Sequence, residues 1–226
     1  MSRRKAQIAW VVVLLSTAAS SFYVGLVARP THIALRDRLM GKAVYETSFY
    51  RRMVASHVRQ DALVPENSVY FLGDSHIQGL YTGGIGINYG IGSDTTEGLI
   101  ARIPKYVSMQ KAAKAFIEIG CNDGESDGVK LAENILKVVD ALPLTHGIYL
   151  ISLLPSAGRH SKWNSTKQTA NKILMDDKSN RFAFIDIYQI LSDDNGDLKS
   201  CYDSGDGVHL NGEGYRVLLS EIGRYL

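Results

Sequence analysis

Val69-Tyr70-Phe71-Leu72-Gly73-Asp74-Ser75 carries an apolar run straight into a small polar turn. A short run of β-branched and aromatic residues bounded by turn residues reads as a buried strand. A serine at the exit of such a strand can do chemistry only if a base reaches it. Far downstream, Asp206 and His209 flank Gly207-Val208, ahead of a helix-like segment that Asn211 can cap. A tight turn there places the carboxylate on one imidazole nitrogen and leaves the other to take the Ser75 proton. Serine, imidazole and carboxylate in those roles are the minimum for nucleophilic acyl chemistry. An isolated Asp-x-x-His more commonly marks a helix start, so the chain between the two ends decides.

From Glu66 onward, short apolar runs alternate with helical periodicity. The pattern predicts strands at Ser68–Leu72, Gly86–Asn88, Ala115–Ile119, Ile148–Leu153 and Phe182–Asp186. It predicts helices at Thr95–Lys105, Gly128–Leu142, Ser165–Asp177 and Asn211–Tyr225. Strands separated by helices indicate an α/β fold with a mainly parallel five-stranded sheet covered on both faces. Such sheets bind ligands at the carboxyl ends of their strands, where Ser75 falls.

Two further loops fall on the same edge. Gly120-Cys121-Asn122-Asp123 follows a strand, and a side-chain amide at Asn122 there can donate to a developing oxyanion; its plainer role is to cap a turn. Asn88 to Thr96 follows a strand and opens a helix, so it can present a backbone N–H beside Ser75. Its plainer role is a helix cap built by Asp94 or Thr95. Four segments in this order on one sheet edge are more specific than any one of them.

In these four segments the chain resembles the SGNH hydrolases, also called the GDSL esterase/lipase family, over Glu66 to Leu226. The first block matches Gly73-Asp74-Ser75, the second resembles Asn88 to Thr96, the third Gly120-x-Asn122-Asp123, and the fifth Asp206-x-x-His209. The resemblance implies a three-layer α/β/α sandwich of flavodoxin-like type and hydrolysis of esters or thioesters through an acyl-enzyme. It implies Ser75 as nucleophile, His209 as base and Asp206 as its orienting acid, with an oxyanion hole of Ser75 N–H, Ser93 or Gly92 N–H, and Asn122. One position departs from the family's pattern. Many members carry glycine immediately before the aspartate of the second block, where this chain has Ser93, with Gly92 one place earlier.

Three alternatives compete with this reading and yield. His76 is adjacent to Ser75, but neighbours on a turn seldom face each other. A metal site from Asp74, His76, Asp206 and His209 would need residues that the triad already explains, so neither metal nor cofactor is expected. The α/β-hydrolase class requires Gly-x-Ser-x-Gly, and here Ile77 occupies the second place after Ser75.

The 226 residues are enough for one well-buried domain, and 45% hydrophobic with 21% charged content is ordinary for a globular protein. The charge is split. Residues 1–64 hold ten Lys/Arg against three Asp/Glu, and the remainder fifteen against twenty, so +7 and −5 give the overall +2. The acidic remainder excludes a nucleic-acid binder on charge grounds. Ile8 to Ala28 carries no charge, follows Arg3-Arg4-Lys5 and stops at Arg29-Pro30. It reads as a signal anchor spanning a bilayer, or as a cleaved signal peptide. Basic residues on both sides leave the orientation open; a short tail favours an extracytoplasmic domain, or a secreted one after cleavage.

The expected organisation is therefore residues 1–30 as anchor or signal and 66–226 as the catalytic domain. Between them, 31–65 forms a helical stalk, or else a helix packed on that domain, ended by Pro65. Cys121 and Cys201 are either a single bridge or two thiols. The substrate is expected to be a small-molecule, lipid or carbohydrate ester, of lysophospholipase or acetylesterase type. Transfer of an acyl group to a carbohydrate, or deacetylation, would use the same site. A non-catalytic membrane-anchored binding module is the alternative of another class.

Overall fold

A computed structural model describes residues 43–144 and 146–226. The expected span Ile8–Ala28 lies outside the described residues, and among the described residues no helix is long and apolar enough to cross a membrane.

Five strands form one all-parallel sheet: β1 (Val69–Gly73), β2 (Ile87–Gly90), β3 (Lys114–Glu118), β4 (Ile148–Ile151) and β5 (Ala183–Ile185), in the order β2-β1-β3-β4-β5. Around them lie α1 (Ser48–Asp61), α2 (Ser75–Gln78), α3 (Thr96–Arg102), α4 (Gly128–Ala141), α5 (Asn164–Met175), α6 (Tyr188–Leu191) and α7 (Gly212–Gly223). All five expected strands and all four expected helices are present, with ends moved by a few residues. β4 and β5 are shorter than expected because the chain leaves the sheet at Ser152 and Asp186. The short helices α2 and α6 were not expected at all.

Alternation along β1 sends Tyr70 and Leu72 to one face and Phe71 to the other, and each face has its own core. Tyr70 and Leu72 join Leu131, Ile135 and Val138 of α4 with Ala170 and Leu174 of α5. Phe71 joins Ile77 of α2, Leu191 of α6, and Leu218 and Ile222 of α7. The sheet is thus covered by helices on both faces, which is why its strands read as continuous apolar runs.

Between Thr31 and Val64, the two expected alternatives separate for the described part. α1 starts with the Thr47 hydroxyl accepting from Tyr50 N–H. It packs on the domain, with Tyr50 and Val54 buried against Ile91. The Tyr50 hydroxyl donates to Gly98 O at 2.5 Å, and Asp61 accepts from the Ser108 backbone N–H at 3.0 Å. α1 is therefore a packed helix, ending four residues before the expected stop at Pro65.

β1 and β3 are adjacent, while the chain passes outward from β1 to β2 and then returns to β3. The direction of strand addition reverses there, and a crevice opens at such a reversal beyond the carboxyl ends of the strands. In register, Gly73 stands opposite both Gly90 and Glu118. The segments following β1, β2 and β3 therefore emerge side by side.

Candidate active site

Gly73 is the last residue of β1, wedged between its neighbours. A Cβ there would lie 2.0 Å from Glu118 O and 2.6 Å from Ile77 Cγ1, so no other residue fits. Asp74 follows and caps α2, its Oδ1 accepting from His76 N–H at 3.0 Å. The cap turns the chain sharply and leaves Ser75 as the first residue of the helix, partly exposed at the sheet edge.

His209 reaches Ser75 from the loop before α7. Its Nε2 lies 3.0 Å from Ser75 Oγ, and its Nδ1 lies 2.6 Å from Asp206 Oδ2. Asp206 also accepts at Oδ1 from the Val208 and His209 N–H groups, both at 2.9 Å. These bonds, the His209 side chain first, hold its carboxyl well below the usual carboxylate range. An ionised Asp206 can only accept, so Nδ1 carries the proton and Nε2 is left to accept from Ser75. The loop itself is braced: Asp203 Oδ1 accepts from Gly205 and Gly207 N–H groups, and Ala157 N–H donates to Gly207 O at 2.7 Å. Gly207 adopts φ 77°, which favours glycine. His209 and Asp206 remain 42% and 52% exposed, so the pair faces solvent.

The expected oxyanion donors divide. Gly92 N–H donates to Gln78 Oε1 at 2.7 Å and is committed there. Asp94 N–H donates to Ile91 O, closing a turn in which Ser93 adopts φ 64°. That left-handed backbone explains the family's preference for glycine at this place. Ser93 meets the demand without one, and remains the candidate of the two. Asn122 lies on the loop after β3, its amide nitrogen donating to Asp94 O at 3.1 Å and standing 3.4 Å from Asp74 Oδ2. It thus sits between the first and second loops, as its position in the sequence suggested. Thr95, rather than Asp94, caps α3.

Below Ser75 lies a polar cluster that the pattern of residues did not announce. Asp74, His76 and Glu118 are all buried. His76 Nδ1 is 3.3 Å from Glu118 Oε2 and 3.5 Å from Asp74 Oδ1, and its Nε2 is 3.0 Å from Val208 O. Burial alone would discharge the His76 ring, but the carboxylate of Glu118, with Cys121 and Asp74, outweighs it and raises the pKa well above the usual imidazole value. Burial and then the charge of Glu118 raise Asp74. Burial likewise raises Cys121, whose thiol donates to Glu118 Oε1 at 3.5 Å. Asp74, His76, Glu118 and Cys121 each offer a donor atom, all within 4.8 Å of one another, a set with metal-ligand chemistry. Their mutual bonds already satisfy them: among the described residues no buried side-chain nitrogen or oxygen lacks a partner. Cys121 and Cys201 are both free thiols.

A second brace was also missed. Arg102, fully buried on α3, donates from Nε to Asp94 Oδ2 at 2.8 Å, from Nη1 to Tyr89 O at 2.6 Å and from Nη2 to Gly73 O at 3.0 Å. One guanidinium therefore ties the ends of β1 and β2 to the loop bearing Ser93. Its sequence signal was an arginine among Leu99, Ile100 and Ile103 on a helical face.

A cavity of about 150 Å³ opens beside Asn122, lined by Gly120, Cys121, Leu131, Trp163 and Lys167 among others. Larger cavities, of about 350 and 660 Å³, lie at Thr95–Lys137 and along α5. None of the three is lined by Ser75, His209 or Asp206; the small one is set apart by Asn122 in its lining. Trp163 closes one side of it, and Tyr81 is 83% exposed.

The sequence model of the family described as GDSL-like Lipase/Acylhydrolase matches residues 47–222. No curated protein sequence matches the chain. Among solved structures, the fold is similar to a GDSL-like lipase from Bacteroides thetaiotaomicron (22% identity, 76% of this chain and 95% of that chain, TM-score 0.64). It is similar as well to a Streptococcus pneumonia protein provisionally assigned as a platelet activating factor (24%, 77% and 91%, 0.66). A third is a provisionally assigned acylhydrolase from Bacteroides fragilis (24%, 75% and 93%, 0.64). With the family's sequence spread over α1 to α7 and its four loops gathered on one sheet edge, the chain belongs to the GDSL-like lipase/acylhydrolase family of SGNH hydrolases.

Proposed function

We propose that this chain is a serine esterase that hydrolyses carboxylic esters of short acyl groups, acetylesterase-like rather than lysophospholipase-like, through an acyl-enzyme. The observation that carries the reading is the unbroken contact from Asp206 Oδ2 through the His209 ring to Ser75 Oγ, at 2.6 and 3.0 Å. His209 Nε2 takes the Ser75 proton as Oγ attacks the ester carbonyl, and the ionised Asp206 stabilises the imidazolium. The Ser75 and Ser93 N–H groups and the Asn122 amide face the oxyanion. His209 returns the proton to the departing alcohol. Water, activated by the same nitrogen, then breaks the Ser75 ester and releases the acid. The cavity of about 150 Å³ beside Asn122 favours an acetyl-sized group over a long fatty chain.

The uncharged stretch Ile8–Ala28 supports attachment to a membrane, and the short tail before it favours an extracytoplasmic catalytic domain. Carbonate extraction of membranes carrying the full chain tests the attachment, and protease accessibility in sealed vesicles tests the side.

The function is tested with p-nitrophenyl esters from acetyl to palmitoyl, on the parent chain and on Ser75→Ala. Activity falling with acyl length and lost in the variant is expected, together with labelling of the parent by a fluorophosphonate. Retained hydrolysis in purified Ser75→Ala would sink the serine mechanism. A palmitoyl preference would sink the short-acyl assignment. Faster acyl transfer to a sugar hydroxyl than to water would make the chain a transferase.

A further inference from the structure

We infer that His76 is a positioning residue for the proposed reaction: its ring ties the loop carrying His209 to the helix carrying Ser75 and so sets the gap between base and nucleophile. The inference rests on the serine-esterase reading above. Val208 O can only accept, so its 3.0 Å contact with His76 Nε2 fixes a proton on that nitrogen. Val208 directly precedes His209, and its carbonyl is therefore the last backbone acceptor before the base. Nδ1 of the same ring meets Glu118 Oε2 at the end of β3, three residues before Cys121-Asn122. From the opposite side, the Tyr215 hydroxyl on α7 donates to His76 O at 3.0 Å.

One buried side chain thus binds all three segments on which the site is assembled: α2 with Ser75, the exit of β3 leading to Asn122, and the 206–209 loop. The His76 and His209 rings lie 5.8 Å apart, tilted by 59°. His209 is 42% exposed, and the bonds to its ring are those to Asp206 and Ser75; Asp206 is itself on the same loop, 52% exposed. The bond from His76 is what couples that loop to the body of the protein at the residue next to the base.

Paired variants separate positioning from stability. In His76→Gln the side-chain amide nitrogen falls where Nε2 was and can still donate to Val208 O. In His76→Asn the shorter amide falls near Nδ1 and cannot reach it. Both lose the imidazolium, so both lose stability to Glu118 and Asp74 alike. The expected result is kcat reduced about 10²-fold in His76→Asn with KM unchanged, since a misplacement on the order of 1 Å costs that much. His76→Gln should keep turnover within several-fold of the parent at a comparable melting temperature. Equal kcat in the two variants, or losses that simply follow their melting temperatures, would overturn the inference. Should neither fold, proton–nitrogen correlation NMR of the parent chain decides. A slowly exchanging Nε2 proton on His76 is expected, and an unprotonated or freely exchanging Nε2 overturns the bond. An active Ser75→Ala overturns the serine reading itself, whereas an inactive Ser75→Ala beside a fully active His76→Asn overturns this inference alone.

Discussion

Asn122 illustrates how one side chain serves both the frame and the reaction. Its amide nitrogen donates to Asp94 O, which holds the loop after β3 against the loop after β2. The same group is the side-chain donor of the proposed oxyanion hole. Removing such a donor costs about 10²–10³ in turnover, whereas an exposed hydrogen bond costs on the order of 1 kcal/mol in stability. Asn122→Ala should therefore lose about 10²–10³ in kcat on p-nitrophenyl acetate while its melting temperature moves by a few degrees at most. A variant that keeps its turnover removes Asn122 from the oxyanion hole. Ser93 poses the opposite case, since it sits at φ 64° with a side chain that this backbone disfavours. Left-handed geometry costs a non-glycine residue roughly 1–2 kcal/mol, and glycine's extra chain entropy returns roughly 0.5–1 kcal/mol of that. Ser93→Gly is expected to retain activity and to melt no lower than the parent in calorimetry. A clear drop in melting temperature would mean that the hydroxyl has a role of its own.

The elements that the sequence disclosed are those made by local pattern. Apolar runs ending in small polar residues marked all five strands, and 3.6-residue periodicity marked α3, α4, α5 and α7. Asn211, read as a helix cap, accepts from the Glu213 and Gly214 N–H groups. Ser75, Asp206 and His209 were legible too, because their chemistry demands particular residue types in fixed order. What stayed hidden depends on register between strands. Glu118 looked like an ordinary strand exit until pairing put it opposite Gly73, beside His76. His76 itself was weighed as a rival base and as a metal ligand, and it faces away from Ser75 into the cluster. Arg102 was equally silent, since nothing local says that a helical arginine will reach Gly73 O across the end of the sheet. That reach gives a prediction at this scale. Arg102→Leu leaves the Asp94 carboxylate buried without its cation and three carbonyl and carboxylate contacts unmade. The expected loss is about 3–5 kcal/mol, read from the urea midpoint. Arg102→Lys should recover little of it, because an ammonium cannot span the same fork. Full recovery by lysine would show that charge alone matters there.

Across the whole molecule, α1 is joined to the site through the same buried network. His57 stacks on Tyr89, with ring centroids 4.7 Å apart, and its Nδ1 lies 3.3 Å from the Tyr106 hydroxyl. That oxygen also accepts from Arg102 Nη1 at 3.3 Å. Burial first, and then the charge of Arg102, push His57 down from 6.5 to about 4. Between those values the unfolded chain binds a proton that the folded one refuses, so stability rises with pH across the window. The contribution is complete above pH 6.5, declines on acidification, and is fully lost once the pH falls below about 4. Near pH 5 the loss amounts to about 2 kcal/mol, from roughly 1.36 kcal/mol per pKa unit. His57→Gln cannot take up a proton and escapes that penalty. Replacing a stacked, hydrogen-bonded ring should make this variant less stable than the parent near neutrality. Acidification should then narrow the gap by about 2 kcal/mol between pH 7.5 and about pH 5, measured as urea midpoints. A gap that stays constant over this range would mean that folding leaves the His57 pKa unchanged, and that α1 does not depend on a neutral imidazole.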